Sequence, residues 1–133
     1  LLLMPMSVIF GLDVPEKVKQ AFNVKYPGAR SVKWELNESS YEAEFKWKGK
    51  HYEAEFDAEG KWLLQSVDVS VKELPVSVKS SLDSLYAGAK IREVEYQESA
   101  NQGPLYIIEV RFDSKDLELY FTSTGQFLYE KKD

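Results

Sequence analysis

Four carboxylates, Glu42, Glu44, Glu53 and Glu55, stand two residues apart in two short runs on either side of Gly49, and the sole histidine, His51, lies between the runs. Paired carboxylates can share acid/base work or hold a hard cation such as calcium, and a lone imidazole can serve as acid, base or metal ligand near neutral pH. The same stretch supplies Lys46, Lys48 and Lys50, close enough in sequence to neutralise the carboxylates. It supplies no serine or cysteine that alternation would set against the imidazole. Ser39-Ser40, Ser80-Ser81 and Gly103 belong to no nucleophile elbow or phosphate-cradling motif. These residue types favour a solvated, salt-bridged or partner-binding face over a catalytic one, so the chain is expected not to be an enzyme. The alternative is a small hydrolase or cation-dependent enzyme built on Glu42, Glu44, Glu53 and Glu55. No cofactor or metal is implied.

What positions these carboxylates is a hairpin. Tyr41, Ala43, Phe45 and Trp47, then Tyr52, Ala54 and Phe56, alternate with charged residues on both sides of Gly49. Period two describes half-buried antiparallel strands joined by a turn at Lys48 to Lys50, one aromatic face inward and one charged face toward water. Upstream, Val14, Val18, Ala21, Phe22 and Tyr26 fall on one stripe of period 3.6, with Pro15 in the first turn and Pro27-Gly28 ending the segment. This predicts an amphipathic helix over about residues 15 to 26. Val32, Trp34 and Leu36 alternate in a first strand, and residues 61 to 69 read as a fourth. Trp34, Trp47 and Trp62 fall on inward positions and read as core.

The plan then runs a second time. At a spacing of 60, Leu74-Pro75 matches Val14-Pro15, Val78-Lys79 matches Val18-Lys19, and Tyr86-Ala87-Gly88-Ala89 matches Tyr26-Pro27-Gly28-Ala29. After the loop from Gln97 to Pro104 the spacing becomes 65, and Tyr106, Glu109, Lys115, Glu118, Phe121, Gly125 and Leu128 match Tyr41, Glu44, Lys50, Glu53, Phe56, Gly60 and Leu63. The expected fold is α+β, a tandem repeat of a helix plus a four-stranded antiparallel sheet with helices on one face. The expected boundaries are 1–12 for an apolar segment, 13–71 for the first repeat and 72–133 for the second, the two sharing one compact unit. Helices on one face leave the other open to solvent, as antiparallel sheets permit.

Composition narrows the class. At 133 residues, 44% hydrophobic and 29% charged, the chain is globular rather than disordered. Its net charge of −5 offers no basic footprint for a nucleic-acid backbone. With no cysteine there is neither a disulfide framework nor a thiolate nucleophile. Residues 1–12 are almost wholly apolar, yet too few to span a bilayer. They read either as the core of a secretory signal without its basic beginning or as a packed strand over Met6 to Phe10, held on an edge strand, on the open face or on a neighbouring molecule.

Val14-Pro15, Tyr26-Pro27-Gly28-Ala29, Trp34-Glu35, Tyr41-Glu42-Ala43-Glu44-Phe45 and Asp57-Ala58-Glu59-Gly60-Lys61-Trp62 together resemble the PepSY-like family of β-lactamase-inhibitor-like proteins, which recur among exported proteins of Bacteroides-type bacteria. The resemblance covers about residues 13 to 130. The second half departs from it with Tyr-Ile-Ile-Glu-Val in place of Tyr-Glu-Ala-Glu-Phe and Thr122-Ser123-Thr124-Gly125 in place of the acidic turn. It implies a curved sheet backed by helices, a periplasmic or secreted location, and a binding or inhibitory module that uses its open face, as the inhibitor after which the fold is named grips its enzyme. The wider class is associated with restraining proteases outside the cytoplasm.

The second half alters the open face. Ile107 takes the place of Glu42, and Tyr120 that of Glu55, ringed by Glu109, Arg111 and Glu118. Such apolar groups suit a protein-binding patch if exposed, or burial against the N-terminal apolar segment or a second subunit if not. The expected binding face therefore comprises Glu42, Glu44, Lys46, Glu53, Glu55, Ile107, Glu109, Arg111, Glu118 and Tyr120, and the expected partner is a protein or peptide.

Overall fold

The computed structural model describes residues 12–133, so the expectation for Met6 to Phe10 lies outside the described residues. The fold is α+β, and the chain divides between Ser66 and Val67 into two compact units. Helix α1 (Glu16–Lys25) is followed by strands β1 (Arg30–Asn37), β2 (Ser40–Trp47), β3 (Lys50–Asp57) and β4 (Trp62–Val69). A 3-10 turn (Val71–Glu73) leads to α2 (Val76–Leu85), β5 (Lys90–Ser99), β6 (Leu105–Phe112), β7 (Lys115–Thr122) and β8 (Phe127–Lys132). The pairings β1–β2, β2–β3, β5–β6, β6–β7 and β7–β8 are all antiparallel.

Both helices begin and end in the same way. Pro15 and Pro75 occupy the N-cap, and each proline carbonyl accepts the first two helical N–H bonds, from Val18 and Lys19 and from Val78 and Lys79. At the other end the Tyr26 and Tyr86 amides donate to Phe22 and Leu82, and Gly28 and Gly88 take positive φ to turn the chain into a strand. Strand β5 runs three residues, Gln97 to Ser99, into the expected loop. Its polar end is closed by the Gln102 amide donating to Ser99 Oγ at 3.2 Å, a bond that leaves no apolar signature.

The turn after β3 and the turn after β7 each sit against a helix. Asp57 Oδ1 accepts the amides of Glu59 and Lys61, while the Thr122 hydroxyl accepts the amide of Gln126, so a neutral side chain takes over the anchoring role of the acidic one. Gly60 and Gly125 then combine positive φ with close approach. A Cβ on Gly60 would stand 2.8 Å from the Lys17 carbonyl oxygen, and one on Gly125 would stand 2.6 Å from that of Ser77. The Ser81 hydroxyl adds a hydrogen bond to the Gly125 carbonyl.

The buried residues of each unit gather between helix and strands. In the first, Val14, Val18, Phe22 and Tyr26 meet Ala43, Phe45, Ala54 and Phe56, and Trp34, Trp47 and Trp62 pack around them as expected. Phe22 lies edge-on to Phe45 at 4.9 Å and to Trp34 at 5.3 Å. The polar ends of these rings are satisfied. Tyr26 Oη donates to Gln65 Oε1 at 2.7 Å and accepts from Trp62 Nε1 at 2.9 Å, and Trp47 Nε1 donates to the Pro27 carbonyl at 2.8 Å. In the second unit Leu74, Val78 and Leu82 meet Val94, Ile108, Val110, Leu117, Leu119 and Phe121.

Candidate functional site

Because inward residues alternate along each strand, the remaining side chains of β2 and β3, and of β6 and β7, project from the face opposite their helix. In the first unit register sets Glu42 beside Glu55, Glu44 beside Glu53, and Lys46 beside His51. Lys46 and Lys48 do not neutralise this set as the sequence suggests. Among the described residues neither Lys46 nor Lys48 forms an ion pair. Instead Asn37 Nδ2 donates to Glu42 at 3.1 Å, Ser40 Oγ donates to Glu55 at 3.2 Å, and His51 Nε2 lies 2.9 Å from Glu44 Oε2. Burial raises the pKa of Glu42, Asn37 partly offsets that, and the charges of Glu55, Glu35 and Glu44 add to the rise. His51 is thus a hairpin residue engaged with a carboxylate.

In the second unit Ile107 pairs with Tyr120, and Glu109 with Glu118, in the register that Glu42–Glu55 and Glu44–Glu53 occupy in the first. Ile107 is buried, being only 7% exposed. Tyr120 is half-buried, stacked on Tyr129 with centroids 4.5 Å apart, and donates to Glu118 at 3.1 Å; desolvation, then the Glu118 charge, raises its pKa. Arg111 binds Asp116 at 3.0 Å. The Glu109 carboxyl is pushed up to about 7, first by a hydrogen bond with Asp133, then by desolvation and by the charges of Asp133, Glu93 and Glu118.

Sequence reasoning missed three carboxylates. Asp68 of β4 and Glu93 and Glu95 of β5 bring their oxygens within 4.8 Å of one another, and Glu93 and Glu95 line a small cavity of about 30 Å³ with Ile107, Glu109 and Glu118. Among the described residues this trio, and not the Glu42 to Glu55 set, has metal-ligand spacing. Asp68 sits far from β5 in sequence, and a register shift between Ile91 and Glu93 changes the phase of β5, so alternation alone could not have assembled the trio. No helix among the described residues is long and apolar enough to cross a membrane.

The chain matches the family described as "Putative beta-lactamase-inhibitor-like, PepSY-like" over residues 9–48 and 39–129, and it belongs to that family. Among solved structures it is similar to a BLIP-like protein from Bacteroides fragilis, with 28% identity, 91% of this chain and 87% of that one covered, and a TM-score of 0.80. A DUF2874 family protein from Bacteroides uniformis is 25% identical over 89% and 88% of the two chains, with a TM-score of 0.83. A Bacteroides eggerthii protein described as a "putative periplasmic" protein shares the fold at 20% identity, covering 91% and 90%, with a TM-score of 0.85. A comparison with curated proteins finds no match.

Proposed function

We propose that this chain is a non-catalytic binding module of the periplasm, formed from two copies of one helix-plus-four-strand plan, that docks a protein or peptide on the strand faces its helices leave open. The observation that carries this reading is the crowding of carboxylates there. Glu42 faces Glu55, Glu44 faces Glu53, Glu109 faces Glu118, and both Glu42 and Glu109 are held above their ordinary pKa. Like charges set directly opposite across strands are destabilising, and a partner presenting lysine or arginine would relieve that repulsion on contact. The partner is accordingly a protein with a basic surface, with Tyr120 offering an aromatic contact beside the carboxylates. The periplasmic assignment draws on the fold shared with the Bacteroides eggerthii protein, and restraint of a hydrolase draws on the BLIP-like description of the Bacteroides fragilis protein.

Affinity capture from an envelope fraction tests the reading with three baits: the wild type, the outward-face variant E42Q/E44Q/E53Q/E55Q/E109Q/E118Q, and the helix-surface control K19Q/K79Q. The expected result is a basic protein retained by the wild type and the control and lost by the outward-face variant. Retention by all three baits would sink the docking face. Hydrolytic or cation-dependent activity in the wild type, abolished in E42Q/E44Q/E53Q/E55Q, would replace the module with an enzyme.

A further inference from the structure

The two long hairpins end in opposite electrostatic states. In the second unit Lys90 of β5 lies directly across from Arg111 of β6, an unfavourable pair of like charges. That pair has its own counter-ion, because Arg111 also faces Asp116 of β7 and binds it at 3.0 Å, and the hairpin turn adds Asp113. The first unit repeats the conflict without the remedy. Arg30 of β1 lies across from Lys46 of β2, but Lys46 faces His51 where Arg111 faces Asp116, and His51 is engaged with Glu44. The turn residue is Lys48 instead of Asp113, at the same positive φ of about 50° (52° against 51°). Among the described residues Arg30, Lys46 and Lys48 form no ion pair. All three line one cavity of about 270 Å³ together with Trp47 and the side-chain-free positions Gly28 and Gly49. Trp47 is fixed by its bond to the Pro27 carbonyl, and the Lys48 ammonium lies over its ring at 4.4 Å.

We propose that Arg30, Lys46 and Lys48 form a binding site for a doubly charged tetrahedral oxyanion, of the phosphate or sulfate class. Three cations on a chain of net charge −5, gathered at one hairpin end, supply to an external ligand what Asp113 and Asp116 supply internally to the other hairpin. A dianion offsets more of this charge than a carboxylate does. The planar fork of Arg30 suits two oxygens of such a group, with the lysines as point charges. The cavity is far larger than a single water requires, leaving space for part of an organic group bearing the anion. This site shares Lys46 with the outward face but none of its carboxylates.

Nuclear magnetic resonance titration of the full chain with inorganic phosphate, inorganic sulfate and phenyl phosphate, each against chloride of equal ionic strength, tests it. The expected result is saturable shifts centred on the amides of Gly28, Arg30, Lys48 and Gly49 and on the Trp47 indole. R30Q/K46Q should weaken binding at least tenfold. His51→Asp, which gives the first hairpin the internal counter-ion of the second, should weaken it comparably, and melting temperatures in chloride check that both variants remain folded. Tighter binding of phenyl phosphate than of inorganic phosphate assigns the site to an ester, and equal binding assigns it to the free anion. Shifts of the same size in chloride, shifts spread evenly over all lysines, or affinity unchanged in R30Q/K46Q would overturn the proposal.

Discussion

The helix of the first unit lays a phenylalanine, Phe22, over a floor in which Ala43 and Ala54 pair, while the helix of the second lays Leu82 over a floor in which Ile108 and Leu119 pair. One arrangement puts bulk on the helix and takes it from the strands; the other moves bulk to the strands and shortens the helix side chain. Interiors are packed close to crystal density, so volume added on one layer must be removed from the other. The aromatic solution brings a polar obligation that the aliphatic one avoids. Tyr26, Trp47 and Trp62 carry N–H and O–H groups into a half-buried setting, and Gln65 and the Pro27 carbonyl meet them. The same succession of elements therefore tolerates two chemistries of core, provided that each layer is read against the other.

The strongest way to break this comparison is to remove the helix residue. Phe22→Ala should cost about 3–5 kcal/mol and Leu82→Ala about 2–5 kcal/mol, with Phe22 the larger because two alanines cannot close over the void; urea unfolding of both variants gives the ranking. Next comes the turn that both units press against their helices. Gly125→Ala should cost about 3 kcal/mol, since it combines a φ of +97° with a clash against the Ser77 carbonyl. Gly88→Ala, at a φ of +83° with open space around it, should cost about 1 kcal/mol, and the gap between the two melting points isolates the close approach.

Exchanging floors sharpens the comparison. Ala43→Ile should destabilise by about 2 kcal/mol through overpacking, and adding Phe22→Leu should recover most of that loss, a coupling that a double-mutant cycle reads directly. Tyr26→Phe should cost about 1–2 kcal/mol, because Trp62 and Gln65 lose their shared partner. Tyr86→Phe should cost less, since Tyr86 bonds only the exposed Glu130.

The smallest effect lies on the outward face of the second unit. Glu109 is raised from 4.5 to about 7, so between those values the folded protein holds a proton that the unfolded chain has released. Its contribution to stability is full below pH 4.5 and is lost as pH rises through 7. Glu109→Gln should therefore become the more stable protein at pH 8, with the difference shrinking toward pH 5, as paired thermal melts at the two pH values will show.

Much of this was written in the sequence. Alternation around Gly49 placed β2 and β3 and assigned Glu42, Glu44, Glu53 and Glu55 to one face, and the proline and glycine positions bounded both helices to within two residues. The matching of Phe22 to Leu82 and of Ala43 to Ile108 was also present, but as separate substitutions whose compensation needs three dimensions. Less legible was anything that depends on a register shift. Ser31 adopts a φ of 55° with no glycine to announce it, within the irregularity that sets Arg30 against Lys46. Asp68 meets Glu93 and Glu95 through a comparable irregularity in β5. Ile107 alternates with inward residues of β6, yet its place in that pattern did not mean exposure, since only 7% of it is accessible.

All three tryptophans, Trp34, Trp47 and Trp62, lie before the division at Ser66, packed around the aromatic core of the first unit. The molecule thus carries an indole label on one unit and none on the other. Indole fluorescence follows the melting of the aromatic core alone, whereas far-ultraviolet circular dichroism sums the backbone of both units. Superimposable curves from the two signals would mark a single cooperative transition, and curves that part would mark units that melt in turn. The uneven placement of one residue type makes the cooperativity of the whole chain readable in a cuvette, with no dye and no engineered reporter.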